Sequence, residues 1–140
     1  MPKLPRGKVM SKKYNISQNR YRQLYYYCLQ YQEWKDELKY KYDTSKALVV
    51  DDMPHSKTNN ITNPTQDAAM KCAELAHKIA TIEEAAKLTD PALYKYILKH
   101  VTNPNINYEY LSSHMNIPCS KNTFYDRRKK FYWILSQNVE

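Results

Sequence analysis

The segment from Ser120 to Lys130 carries the side chains whose types and spacing are best suited to chemistry. On a helix that turns 100° per residue, Phe124 and Phe131 share one side, and most of the polar side chains lie opposite them. In the major groove of DNA, asparagine can pair with adenine and arginine or lysine with guanine, while hydroxyl groups at a helix start can contact phosphates. The side chains predicted to contact DNA are Ser120, Lys121, Asn122, Thr123, Tyr125, Asp126, Arg127, Lys129 and Lys130.

Two other residues of this helix have different predicted roles. On the helical wheel Arg128 projects toward the apolar side, where its stem can lie along the phenylalanines. Trp133 falls on the polar side, and we expect it to pack on the N-terminal helices rather than contact a partner. The alternative for the whole basic run is a solvated helix whose charges contact nothing. Its position as the third helix of a trihelical unit favours the DNA-contacting interpretation.

The charge distribution favours a polyanionic partner. The chain has 22 Lys and Arg against 14 Asp and Glu, a net charge of +8, which favours nucleic acid first and an acidic membrane surface second. Residues 1–13 carry five of the basic residues and no acid. With prolines and a glycine among the lysines, this segment is predicted to be a flexible arm. Its predicted contacts to the DNA backbone are Lys3, Arg6, Lys8, Lys12 and Lys13.

Residue types that serve many enzymes are sparse in this chain. Gly7 is the only glycine, which excludes the glycine-rich loops of dinucleotide-binding, Walker-type and kinase folds. Three cysteines without a CxxC spacing and four dispersed histidines indicate neither a disulfide framework nor a metal site. None of the tyrosines is accompanied by the Arg and His cluster that DNA cleavage would require. We therefore expect a non-enzymatic protein with no cofactor or metal. The absence of a long apolar run or signal-peptide core predicts a cytoplasmic location.

Composition and periodicity predict an all-α fold whose N-terminal part is one long helix. Residues 14–42 are assigned to that helix, starting at about Ser17, and residues 43–62 to a linker. Residues 63–88 are assigned to a middle helix, because Asn63, Pro64 and Gln66 form a capping-box pattern with proline in the first turn.

Apolar residues in both helices recur with heptad-like spacing, interrupted in the first helix by Lys35. Two such stripes can pair as an antiparallel hairpin within one chain or as a coiled coil in a homodimer, and the sequence leaves both arrangements open. The residues predicted for this packing are Leu24, Cys28, Tyr31, Leu38, Cys72, Leu75, Ile79 and Ile82.

Residues 89–140 are predicted to form a helix-turn-helix DNA-binding domain. A helix from Thr89 to about Val101 is followed by a short helix capped by Asn107 and by a last helix opened by Ser120. Three helices, of which the middle one is short and the last one basic, match the plan of that unit.

The stretch YEYLSSHMNI at residues 108–117, followed by SKNTFYDRR at 120–128, resembles the sigma-factor-like helix-turn-helix of phage late transcription regulators of the RinA/ArpU type. The likeness covers about residues 60–137. It implies that Ser120 to Thr123 and Tyr125 begin a recognition helix and that Arg127 is the basic position after it. It also implies activation of late phage genes, with host RNA polymerase as a further partner. Asn116 stands where glycine is usual in the turn, and asparagine tolerates the left-handed conformation.

The expected function is therefore a dimeric, sequence-specific DNA-binding regulator of transcription. Two alternatives stay open. One is a small terminase subunit for DNA packaging, which would form rings. The other is a phage-encoded inhibitor that binds an acidic protein or a ribonucleoprotein through its basic face.

Overall fold

The computed structural model describes residues 14–50 and 64–140, with side chains from 14–43 and 66–140. The predicted basic arm, with Lys3, Arg6, Lys8, Lys12 and Lys13, lies outside the described residues, as does the predicted linker from residue 51 onward. The described part of the chain is all-α, which confirms the predicted fold class. Its helices are α1 (Gln18–Leu29), α2 (Tyr31–Val50), α3 (Pro64–Thr89), α4 (Tyr94–Val101), α5 (Tyr108–Met115) and α6 (Lys121–Asn138).

The N-terminal part consists of two helices rather than the one long helix predicted for 14–42. Ser17 caps α1 by accepting a hydrogen bond from the backbone N–H of Arg20 at 3.1 Å. The helix is interrupted at Gln30, whose backbone N–H bonds to the carbonyl of Tyr27, three residues back, at 3.2 Å. A tight i→i−3 turn of this kind locally changes the helical repeat. The residues before and after it can therefore bury different faces.

The predicted linker boundary at residue 43 is also wrong, because α2 continues to Val50. Asp43, Thr44 and Ser45 suggested a break in the sequence. They are followed by Lys, Ala and Leu, which have high helix propensity and can carry the helix through a few weaker residues.

The two heptad-like stripes do not pair along their full length. The phenol of Tyr31 donates a hydrogen bond to the carboxylate of Glu83, and the ammonium of Lys78 lies 5.2 Å from the ring centroid of Trp34. Residue numbers rise along α2 as they fall along α3, so these two helices are antiparallel within one chain. The heptad-like spacing placed Lys35 on the buried side of the helix. In the structure Lys35 is exposed, and its neighbour Trp34 is buried instead.

The α1 part of the first stripe packs elsewhere. Leu24 and Cys28 are buried on α1, which contacts α4 and α6 rather than continuing along α3. Of the residues predicted for packing, Leu38 and Cys72 are half-buried and the other six are buried inside the chain: Leu24, Cys28, Tyr31, Leu75, Ile79 and Ile82. The structure thus contains the intramolecular arrangement, and these six side chains are not free to form a dimer surface.

The helix α3 lies at the centre of the fold and contacts α2, α4 and α6. Ile82 and Ala86 on α3 and Phe131 and Leu135 on α6 are fully buried. Removing side chains of this size from water is the main stabilising contribution, about 1.5–3 kcal/mol for each large one. The core therefore holds α6 against α3 along much of its length. None of the described helices is both long enough and apolar enough to cross a membrane.

Candidate nucleic-acid interface

The predicted helix-turn-helix segment corresponds to α4, α5 and α6, with one change at its start. Thr89 ends α3 rather than opening the next helix, and α4 begins only at Tyr94. Asp90 nucleates a turn between them, since its backbone carbonyl accepts from the N–H of Leu93 at 3.1 Å and its carboxylate from the N–H of Ala92 at 2.9 Å. This local use of an aspartate side chain competes with helix formation.

The turn between α5 and α6 forms as the sequence predicts. Asn107 caps α5 by accepting a hydrogen bond from the N–H of Tyr110 at 2.9 Å. The helix ends at Asn116, whose backbone angles of φ 52° and ψ 50° are left-handed. The N–H of Ile117 then bonds to the carbonyl of Leu111 at 3.2 Å. This closes the end of α5 and leads the chain into residues 117–120 before α6.

The first turn of α6 is open to solvent. Ser120, Lys121 and Asn122 are exposed, whereas Thr123 is half-buried. The Ser120 hydroxyl accepts from the N–H of Thr123 at 3.2 Å, which fixes the start of the helix. Because the first amides of a helix have no partner within it, this end can still offer donors to an anion.

An exposed ion pair links the starts of α5 and α6. The ammonium of Lys121 lies 2.8 Å from a carboxylate oxygen of Glu109. This contact raises the pKa of Lys121 and lowers the pKa of Glu109. Both groups face water, so the glutamate can be replaced by another anion without breaking a buried contact.

The basic run after the first turn is engaged with the protein itself, contrary to its predicted placement on an open face. The guanidinium of Arg127 binds Asp90 at 3.2 Å and Asp126 at 2.9 Å. Lys129 is only 7 % exposed, and burial lowers its pKa. The ammonium of Lys130 lies 6.0 Å from the ring centroid of Tyr14. The helical wheel assumed one buried side, whereas α6 is contacted by α1, α3 and α4.

Three aromatic or core residues of α6 lie where the sequence placed them. Phe124, Phe131 and Leu135 are fully buried. Trp133 packs edge-on against Tyr14, with 5.4 Å between ring centroids. Tyr14 lies before α1, so this contact joins Trp133 to the N-terminal segment, whereas the sequence predicted packing on the N-terminal helices.

The structure therefore divides the predicted DNA contacts into two groups. In the first group, Arg127 pairs with Asp90 before α4 and Lys129 is buried, while Asp126 pairs with Arg127 and half-buried Lys130 lies near Tyr14. The second group consists of exposed Ser120, Lys121 and Asn122 with half-buried Thr123 and Tyr125, and the ring of Tyr125 lies 4.7 Å from the guanidinium of Arg128. We call this group the α6 tip: Ser120, Lys121, Asn122, Thr123 and Tyr125.

Sequence reasoning missed an aromatic pair on α5. The rings of Tyr110 and His114 are exposed and stacked, with centroids 4.4 Å apart and an interplanar angle of 14°. The Ser113 hydroxyl lies 2.9 Å from the Nδ1 atom of His114. The sequence could have predicted this pair, because residues four apart on a helix, such as Tyr110 and His114, are neighbours on one face.

The remaining candidate ligands do not form a metal site within the described ranges. No group of three His, Cys, Asp or Glu side chains converges there, and His55 lies outside them. All three cysteines are free, and Cys28 is buried, which raises the pKa of its thiol.

Compared with known proteins, the chain matches no family model, no curated protein sequence and no solved structure. The resemblance to phage late regulators stays a prediction that depends on the residues quoted for it.

Proposed function

We propose that this chain is a non-enzymatic DNA-binding protein that inserts the α6 tip into the major groove. The observation that supports this most directly is the exposed first turn of α6, which follows a turn with left-handed Asn116. In helix-turn-helix proteins the N-terminal residues of the recognition helix contact base edges, while the preceding helix crosses the backbone. The exposed tip leaves the end of α6 that would contact bases open to such an approach.

Two side chains of the tip have a defined chemical role in the proposal. Asn122 is exposed and can pair with adenine through two hydrogen bonds. The ammonium of Lys121 can release the Glu109 carboxylate and bind a DNA phosphate or a guanine base instead. On the exposed α5 surface, the Tyr110 hydroxyl can donate a hydrogen bond to the DNA backbone, whereas the Ser113 hydroxyl already donates to the carbonyl of Glu109 at 2.9 Å.

The proposal is narrower than the interface predicted from the sequence. Four of the predicted contacts are left out of the tip: Arg127 pairs with Asp90 and Asp126, Lys129 is buried, and half-buried Lys130 lies near Tyr14. The basic side chains of residues 1–13 are proposed to bind the backbone irrespective of sequence.

The biological role that we infer is regulation of transcription in a phage or mobile element, with host RNA polymerase as a further partner. It is supported by the resemblance at residues 108–128. The packaging alternative is distinguished by oligomeric size, because light scattering would show a ring for a terminase subunit and at most a dimer for a regulator. A dimer would have to use a surface other than the buried stripe residues.

The test is selection of duplexes by the full-length protein from random or genomic fragments, followed by titration at several salt concentrations. We expect an enriched motif and an affinity whose log–log salt slope is about −0.9 per phosphate neutralised. Binding of a protein or RNA partner with no enriched duplex would contradict the proposal.

A matched pair of charge variants assigns the binding to the tip. Lys121→Ala should weaken binding and make the salt slope shallower by about one phosphate equivalent. Lys71→Ala, an exposed lysine on α3, removes the same charge elsewhere. Equal losses for both variants would show that binding depends on net charge and not on the tip.

A further inference from the structure

We propose that a small cavity between α1, α4 and α6 binds a tetrahedral oxyanion of the phosphate class, with Arg128 as its cationic contact. The cavity has a volume of about 160 Å³. It is lined chiefly by Tyr21, Tyr25, His100, Asn103, Arg128 and Tyr132. The cavity adjoins the α6 tip, since Arg128 lies against Tyr125, but the inference does not depend on DNA binding.

The guanidinium of Arg128 is held in place by two neutral groups. Its Nη1 atom lies 3.2 Å from the Nε2 atom of His100, and its central carbon lies 4.7 Å from the ring centroid of Tyr125. The Nδ1 atom of His100 is 2.6 Å from the carbonyl oxygen of Ile106, which can only accept. Nδ1 therefore carries the proton, and Nε2 is free to accept a hydrogen bond from Arg128.

This arrangement leaves Arg128 with donors to spare. A guanidinium has five N–H donors, and His100 accepts one of them. Among the side chains that the structure describes, no aspartate or glutamate forms an ion pair with Arg128. Arg127, the next residue, binds two carboxylates. The contrast indicates that Arg128 is oriented for an acceptor that the protein does not itself supply.

The other lining groups favour an anion over a cation. Burial raises the pKa of the Tyr21 and Tyr132 phenols, so both remain protonated and able to donate. Burial and the charge of Arg128 lower the pKa of His100 to about 4. The side-chain oxygen of Asn103 already accepts from the N–H of Asn105 at 3.0 Å, which leaves its NH₂ group as a donor. The cavity thus presents one positive charge and several neutral donors at neutral pH.

The volume sets the size of the ligand. At about 30 Å³ per molecule, the cavity has room for about five waters, well below the roughly 300 Å³ or more of a pocket for a drug-sized ligand. It can therefore accept a single tetrahedral group, whose oxygens match the planar donor pattern of arginine. That group can be inorganic phosphate or the phosphoryl end of a small monoester.

The test is an NMR titration of the ¹⁵N-labelled full-length chain with inorganic phosphate, with sodium chloride keeping the ionic strength constant. We expect saturable shifts centred on the His100 imidazole and the Arg128 Nε–H. Arg128→Met should weaken binding by at least tenfold. Lys130→Met, a matched charge removal on the same helix, should leave it unchanged. Shifts that do not saturate, or equal effects of the two variants, would show ordinary ionic screening and overturn the proposal.

Two conservative variants keep the test decisive if Arg128→Met does not fold. Arg128→Lys keeps the charge but loses the planar donors, and Tyr25→Phe removes one hydroxyl from the half-buried edge of the cavity. We expect each to weaken phosphate binding several-fold. Unchanged binding in both folded variants would contradict the assignment of the site.

Three further measurements distinguish the ligand sources, the ligand class and the two proposals. Titration with glycerol phosphate compares a monoester with inorganic phosphate, and tighter binding of either one identifies the preferred source. Acetate at the same ionic strength should bind more weakly, since it can occupy the arginine but has two acceptor oxygens instead of four for the surrounding donors, and equal saturation by acetate would refute the proposed class. Asn122→Ala should bind phosphate normally, so failure of DNA binding and failure of this site are independent results.

Discussion

The Nε atom of Arg127 lies 3.2 Å from the Oδ2 atom of Asp90, and this contact joins α6 to the turn between α3 and α4. Asp90 also accepts from the backbone N–H of Ala92 at 2.9 Å. The carboxylate of Asp90 thus both stabilises the turn and forms the ion pair with Arg127. A basic residue that looked suited to DNA in the sequence serves to position the helix that carries the α6 tip.

We predict that Arg127→Met destabilises the fold only modestly. The side chains of Arg127 and Asp90 are 37 % and 22 % exposed, and ion pairs with this degree of exposure contribute about 0–1 kcal/mol. Urea unfolding of Arg127→Met, Asp90→Asn and the double variant would measure the coupling. A loss above about 3 kcal/mol, typical of a broken buried pair, would contradict this.

Asn116 provides a test of the turn that precedes α6. Its left-handed backbone, with φ 52°, is unfavourable for residues that carry a Cβ by about 1–2 kcal/mol, with asparagine less affected than most. Asn116→Gly should therefore be neutral or slightly stabilising. Asn116→Val should lower the free energy of unfolding by about 1–2 kcal/mol, because a β-branched residue is poorly accommodated there. If urea unfolding finds the valine variant as stable as the wild type, residue 116 does not have this conformation in solution.

His100 predicts a pH dependence of stability. Burial, aided by Arg128, lowers its pKa to about 4 from the ordinary value of 6.5. The unfolded chain therefore binds this proton more readily than the native protein does. Stability contributed by neutral His100 is fully present above pH 6.5 and is lost as the pH falls toward 4, by at most about 3 kcal/mol.

His100→Gln is the control for this prediction, because it keeps an amide that can donate to Ile106 but does not titrate. Between pH 7 and pH 5, the wild type should lose more stability in urea unfolding than the variant does. Parallel pH profiles for the two proteins would assign the acid sensitivity to other groups.

Asn122 is the residue of the α6 tip with the clearest expected effect on sequence preference. Asn122→Ala should cost about 1–3 kcal/mol on the preferred duplex and much less on a scrambled one, since a bidentate contact to adenine is lost only on the former. Gel-shift titrations at one salt concentration measure both affinities. A similar loss on the two duplexes would assign Asn122 to the backbone instead.

Local features of the fold were predictable because neighbouring residues specify them. Ser17, Asn107 and Ser120 cap helices with their own side chains, and α3 begins at Pro64. These signals act over three or four residues and do not depend on the rest of the chain. The left-handed Asn116 belongs to the same class.

The candidate site was only partly predictable, for a reason visible at Lys129 and Trp34. Lys129 is buried although the wheel places it among polar residues, and Trp34 is buried although the heptad spacing points to Lys35. A helical wheel gives the relative directions of side chains but not the number of helices that surround them. The i→i−3 turn at Gln30 also shifts the periodicity by an amount that no pattern in the sequence reveals.

By itself, the sequence determined an all-α chain, its helix caps, the turn before α6 and the apolar positions Phe124, Phe131 and Leu135. Short-range hydrogen bonds and the removal of large apolar side chains from water are sufficient to specify these features. Only the tertiary structure decided which charges of α6 remain accessible and that Arg128 lines a cavity without forming an ion pair to any described carboxylate. Those outcomes depend on how α1, α3 and α4 pack together around one helix, and contacts between residues far apart in the chain are not encoded in any local pattern.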